Sequence, residues 1–241
     1  MEFNGTNANK LKLFENINLD ELPDEIDETV NVNNSADIKL SNCISELPNR
    51  FANTTFNDIS VELASKVKPF ALKQKNDEIF LLFGQIGLGK TSAMAAAIHE
   101  RQLKGLDCGL YFSIRFLLPR LRTCRSFSAK ENEEAFYRRL STASFLCLDE
   151  VGTCADKNEE REFLTTVISA RYDNMLPTFI STNLSPNKFK YLITGNDYSD
   201  RTVEEQVVLC KDLDKTDPVL NRIKSVAIPY AITGESYRKR G

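Results

Sequence analysis

The sequence predicts an α/β fold in which a parallel sheet is covered by helices on both faces. Three observations carry that expectation: short apolar runs alternate with longer helix-like stretches, the first run closes on a glycine-rich loop, and the third closes on two carboxylates. The chain of 241 residues suffices for one large domain. Its 41% hydrophobic and 27% charged residues are those of a folded globular protein rather than a disordered or fibrous one.

Taken in order, residues 1–50 hold ten asparagines and no sustained helical or strand period, and are expected to form a flexible segment. They carry ten acidic against four basic side chains, a net charge of −6, which leaves +3 on residues 51–241 out of −3 in all. Within the segment Leu11, Leu13, Phe14, Ile17 and Leu22 recur at near-helical spacing. A short partner-binding helix is one reading of them and a chance apolar cluster the other. From residue 51 to the C-terminus a second region, the folded domain, is expected. VELASKVKPFALK leads into the first strand, EIFLLFG (78–84). TSAMAAAIHERQLKG (91–105) reads as a helix ending at Gly105, CGLYFSI (108–114) as the second strand and FLCLDE (145–150) as the third. EEREFLTTVISARYDNM reads as a helix, PTFISTN (177–183) as the fourth strand and SVAIPYAI (225–232) as the fifth.

No apolar run approaches the roughly 20 residues of a membrane span, and MEFNGTNANK lacks the basic and apolar regions of a signal peptide. A cytoplasmic protein without membrane partners is expected. Six cysteines without a C-x-x-C pair and a single histidine, His99, argue against a structural zinc site and for reduced, buried thiols. His99 is read as a packing or surface residue.

Gly84-Gln85-Ile86-Gly87-Leu88-Gly89-Lys90-Thr91 fits G-x-x-x-x-G-K-[ST] at every fixed position. In such a loop the glycines let successive backbone N–H groups face a phosphate chain, and the following helix, through Ser92, adds its positive N-terminus. ATP is the expected ligand, with Lys90 at the β- and γ-phosphates and the Thr91 hydroxyl on Mg²⁺. Asp149 and Glu150 end an apolar strand about 58 residues after Lys90, with one strand and one helical segment expected between. Asp149 suits Mg²⁺ held through water, and Glu150 suits orientation of an attacking water; strand-end capping charges are the plainer alternative. The Asn183 amide can both donate to and accept from a γ-phosphate or that water, though Asn also favours strand-ending turns.

GQIGLGKT, FLCLDEVG, RYDNMLPTFISTNLS, LNRIKS and the terminal ITGESYRKR together resemble the AAA+ ATPase domain of the DnaC/IstB family, which comprises bacterial and phage helicase loaders and transposition helper ATPases. The lead-in RFANTTFNDI resembles the same domain, so the likeness runs from about Arg50 to the C-terminus. It implies an AAA+ P-loop sheet without a separate lid domain, ATP-dependent self-association, and an arginine finger supplied by a neighbouring subunit. On that pattern Arg222, in LNRIKS, is the first choice for the finger and Arg201 the second. The N-terminal segment has neither the cysteines of a zinc-binding loader domain nor the basic charge of a duplex-binding one, which favours a protein partner there.

Residues 113–130 carry Arg115, Arg120, Arg122, Arg125 and Lys130 with no acid between them, interleaved with Phe116 and Phe127. Arginines that track phosphates beside aromatics that stack bases make a single-stranded DNA site; an amphipathic helix with solvated arginines is the alternative. The combined expectation is an ATP-dependent helicase loader that binds single-stranded DNA and, through the N-terminal segment, a replicative helicase. A transposition helper acting on duplex DNA and a non-hydrolysing ATP-binding module are the competing readings.

Overall fold

The computed structural model describes residues 47–126, 131–195 and 217–234. The apolar cluster at 11–22, Arg201 and the ESYRKR segment lie outside them. Five short strands, β1 (Ile79–Phe83), β2 (Leu110–Ser113), β3 (Leu146–Val151), β4 (Thr178–Thr182) and β5 (Ala227–Ala231), form one sheet in the order β2-β3-β4-β1-β5. All four pairings are parallel, as the near-continuous apolar runs require of a sheet buried on both faces.

Side chains of β1 alternate between two cores. Phe80 and Leu82 face α1 (Val61–Ala71) and α2 (Lys90–Leu103), joined there by Tyr111, Phe145, Cys147 and Phe179. Ile79, Leu81 and Phe83 face the opposite core. That core is built with α3 (Ile114–Cys124), α4 (Glu133–Thr142), α5 (Lys157–Asp173), α6 (Pro186–Thr194) and α7 (Pro218–Val226). Ala93, Ala95, Ala96 and Ala97 are all buried, and their small side chains let α2 lie close to the sheet, carrying the phosphate loop with it.

The helices start where the side chains can cap them. Asn132, Asp156 and Asp217 accept backbone N–H bonds at the first turns of α4, α5 and α7, and Ser185 does so for α6; Pro186 and Pro218 occupy the first helical positions of α6 and α7. Ser225 and Val226, read from sequence as the start of the fifth strand, are the last turn of α7 instead. Two helices, α3 and α4, rather than one, lie between β2 and β3.

Two fully buried arginines tie chain reversals together, almost entirely through backbone carbonyls. Arg171 donates to Leu140 O, Ala143 O, Pro177 O and Thr178 Oγ1 at 2.7–2.9 Å, and Arg101 to Ala71 O, Lys73 O and Asp107 O at 2.7 Å each. Each guanidinium thus meets the demand that a buried cation be hydrogen-bonded. Among the cysteines described, all are free; Cys108, Cys124 and Cys147 are buried, and burial pushes the Cys147 thiol well up. Within the described residues no helix is long and apolar enough to cross a membrane.

Candidate nucleotide site

The loop between β1 and α2 forms one wall of a cavity of about 670 Å³ at the C-terminal edge of the sheet, where ligands of open α/β sheets sit. Gly89 closes the loop in the left-handed region, with φ +89°, and turns the chain directly into α2, so that Lys90 opens the helix. The Lys90 ammonium is held inside the curl, donating to Gly84 O at 2.7 Å and Gln85 O at 2.8 Å. Ile86 stands exposed on the loop and Leu88 is buried beneath it. Ile86 through Ser92 all line the cavity, together with Asp149, Glu150 and Asn183. The P-loop, the paired carboxylates and the polar end of β4 therefore meet at one place, as the spacing predicted.

Asp149 is only 2% exposed. Its Oδ2 accepts from the Thr91 hydroxyl at 2.7 Å and from the Tyr111 hydroxyl at 2.6 Å; its Oδ1 accepts from Ser181 Oγ and from the Glu150 N–H at 3.0 Å. Burial and the Asp149 charge push the Tyr111 phenol far up, which keeps it a donor. Glu150 adopts φ +59°, a strained value for a side chain of its size, at a point where the β3–β4 register shifts between Leu148 and Val151. Such strain costs on the order of 1–3 kcal/mol, and the bulge re-aims the side chain. Three groups secure it: Ser113 Oγ donates to Glu150 Oε2 at 2.9 Å, the Glu150 N–H donates to Ser181 Oγ at 3.2 Å, and the Thr153 hydroxyl donates to Glu150 O at 2.7 Å. Behind them the buried Glu160 accepts from the Gly152 N–H at 2.6 Å, and burial holds its carboxyl above the ordinary range.

The oxygen set suits a hard divalent cation. Thr91 and Asp149 are already in contact, and among the described residues there is no cluster of three or more side chains that could cage a metal alone. Thr91 and Asp149 would suit Mg²⁺, which keeps most of its water and binds through one or two protein oxygens plus substrate phosphates. Arg50, Phe51, Asp58, Ile59, Leu63, Tyr230 and Ile232 also line the cavity. Nothing in the sequence marked these residues, or Tyr111, Ser113 and Ser181, as part of it.

Two groups of expected residues are placed elsewhere. Arg222 does not line its own chain's cavity; it lies on α7, 3.8 Å from Asp173 and with its guanidinium 5.5 Å from the Tyr172 ring. The arginines of α3 are on the opposite face of the sheet from α2, and acids from other elements meet three of them. Arg122 is paired with Glu159; Arg125 reaches Glu133 at 2.9 Å and Glu159 at 3.6 Å; Arg120 reaches Glu131 at 3.6 Å. Hydrogen bonds to Glu159 and Glu133 hold the Arg122 and Arg125 guanidiniums above their ordinary pKa. The segment that is free of acid in sequence is therefore not free of acid in space. Arg115 and Phe116 are exposed at the N-terminal end of α3.

Sheet order, phosphate loop and paired carboxylates define an AAA+ P-loop NTPase fold, and solved structures share it. The chain superposes on the crystal structure of the DnaC helicase loader with a TM-score of 0.57 at 20% identity, covering 77% of this chain and 99% of that one. It superposes on AMPPCP-bound DnaA from Aquifex aeolicus with a TM-score of 0.54 at 16% identity, covering 77% of this chain and 52% of that one. More narrowly, the chain is similar in sequence to the replicative helicase loader DnaI of Bacillus subtilis (strain 168), with 27% identity over 194 residues. The match takes in 76% of this chain and 58% of that protein, so the chain spans little more than half the length of its curated relative. The resemblance to DnaC-like helicase loaders carried by the motifs is borne out at the level of fold and sequence. No model of a known protein family matches the chain.

Proposed function

We propose that this chain is the ATPase domain of a helicase loader, which binds ATP with Mg²⁺, hydrolyses it, and engages single-stranded DNA and a replicative helicase. The observation that carries the reading is the 2.7 Å contact between Thr91 and Asp149, 58 residues apart, beneath a phosphate loop and beside a strained Glu150. The likeness to DnaI supports the loader part of it.

In this reading the loop N–H groups and Lys90 cradle the phosphates, and Lys90 exchanges its two carbonyl acceptors for phosphate oxygens. Thr91 directly and Asp149 through water would hold Mg²⁺, which would supply neutralisation of the phosphate charge when bound. Glu150, fixed by Ser113, accepts the proton of the attacking water and aims it in line; Asn183 hydrogen-bonds the γ-phosphate. Arg222 of a neighbouring subunit completes the site, a contribution worth about 10³–10⁵ in rate where such fingers act. The acidic N-terminal segment is the helicase contact.

The test is a Glu150→Gln variant. Isosteric loss of the base is expected to leave ATP binding and ATP-dependent capture of the replicative helicase intact while turnover falls about 100-fold or more. Unchanged turnover with intact binding would overturn the hydrolytic role, and absence of helicase capture in both forms the loader role.

A further inference from the structure

The arginines of α3 are not presented to solvent as a free cationic stripe. Glu159, at the third position of α5, is 12% exposed and takes the Arg122 Nε with both carboxylate oxygens, at 3.0 and 2.9 Å, with Nη2 closing the pair. The same carboxylate lies 3.6 Å from Arg125 Nη1, whose other nitrogens donate to Glu133 at 3.0 and 2.9 Å. Both arginines are about half exposed. A guanidinium fork accepts a carboxylate or a phosphate diester in the same bidentate geometry. Two turns upstream, Arg115 lies on the same stripe of α3 as Arg122, about 10.5 Å along the axis, and makes no ion pair among the described residues. Beside it Phe116 is 66% exposed, an aromatic face of the kind on which an unpaired base stacks. The stripe therefore has an open end, Arg115 with Phe116, and a closed end, Arg122 with Arg125.

We propose that Glu159 is an internal phosphate mimic that occupies Arg122 and Arg125, so that single-stranded DNA docks first at Arg115 and Phe116 and completes its contact by displacing this carboxylate. The proposal rests on the reading of α3 as the DNA-binding face, and it adds the competitor that sets the affinity of that face. Because the displaced group carries one negative charge, the competition weakens binding and flattens its dependence on salt.

The experiment measures binding of a fluorescent oligothymidylate, and of a duplex of the same length, to the full chain across a salt series. Four variants are compared with wild type: Glu159→Gln, Glu133→Gln, Glu134→Gln and the double substitution Arg122→Ala/Arg125→Ala. Glu134 serves as a charge control, because it lies on the same face but holds Arg138 rather than the stripe. Glu159→Gln is expected to bind the single strand roughly two- to fivefold more tightly, with the slope of log affinity against log salt steeper by about 0.7. Glu133→Gln, which releases Arg125 alone, is expected to give a smaller change of the same sign, and it carries the test if Glu159→Gln does not fold. Weaker binding by the double arginine variant with no gain in Glu159→Gln or Glu133→Gln beyond that of Glu134→Gln overturns the competitor while leaving the DNA face standing. Wild-type affinity in the double arginine variant overturns the DNA face itself. Equal tightening on the duplex overturns the single-strand assignment.

Discussion

Asp149 receives four hydrogen bonds, three of them from hydroxyls, in a site almost closed to water. A carboxylate so held keeps one orientation whether or not a cation is near, which is what preorganisation of a metal site requires. Tyr111 is the donor with no other task in the proposed chemistry. Tyr111→Phe is expected to raise the Mg²⁺ concentration needed for half-maximal Mg-dependent ATP binding about fivefold, the equivalent of one hydrogen bond of about 1 kcal/mol. Binding of ATP in EDTA should be unaffected; titration of a fluorescent ATP analogue with Mg²⁺ checks both. That Lys90, Thr91, Asp149 and Glu150 gather at one cavity was legible because the glycine-rich loop and the end of an apolar strand each have a local spacing. Tyr111, Ser113 and Ser181 were not, because a hydroxyl in a strand has no local signature. Ser113 matters only since the β2–β3 register sets it opposite Asp149, and Ser181 only since β4 lies between the strands that carry the loop and the carboxylates.

At the scale of the element, strands and their order along the chain were readable from apolar runs, and α2 and α5 from length and termini. The boundary of β5 was misread because Ser225 and Val226 continue its apolar run while the Asp217 cap and Pro218 start a helix upstream that runs through them. The start of β2 depends on a contact that no local pattern announces. Gly109 has φ +76°, and a Cβ there would lie 2.1 Å from Phe145 O, a backbone atom of the neighbouring strand's approach. Gly109→Ala is accordingly expected to lower stability by about 3 kcal/mol, from the left-handed conformation and the forced separation of β2 from β3 together, as a chemical denaturation curve would measure. Gly105→Ala, with φ +67° but nothing within 4 Å, separates the two causes: it should lose only about 1 kcal/mol.

The whole molecule places its candidate functional surfaces on different sides. The nucleotide cavity occupies the C-terminal edge of the sheet, the arginine stripe lies on the α3–α5 face, and Arg222 is on α7 beside the end of α5. Its ion pair with Asp173 is exposed and worth about 0–1 kcal/mol, so it offers little resistance to a neighbouring subunit. If Arg222 acts in trans, Arg222→Ala keeps full ATP binding yet loses turnover by about 10³-fold. Mixing it with Glu150→Gln should then restore activity, since interfaces that join an intact site to an intact finger form only in the mixture. Steady-state ATPase measurement of each variant and of the mixture decides this, and unchanged turnover in Arg222→Ala passes the role to Arg201.

By itself the sequence determined the fold class, the phosphate loop and the two carboxylates, because each is fixed by contacts within a few residues or by a strand's apolar period. It also showed that the chain's net charge of −3 divides into an acidic N-terminal segment and a basic remainder. Only the tertiary structure decided which hydroxyls orient Asp149 and Glu150, and that three of the four arginines on α3 and at its C-terminal cap face carboxylates. Those are matters of sheet order and helix packing. Glu131, Glu133 and Glu159 reach α3 from the approach to α4, from α4 and from α5 respectively, and no spacing along the chain encodes that meeting, since it exists only once these three helices pack together on one face of the sheet.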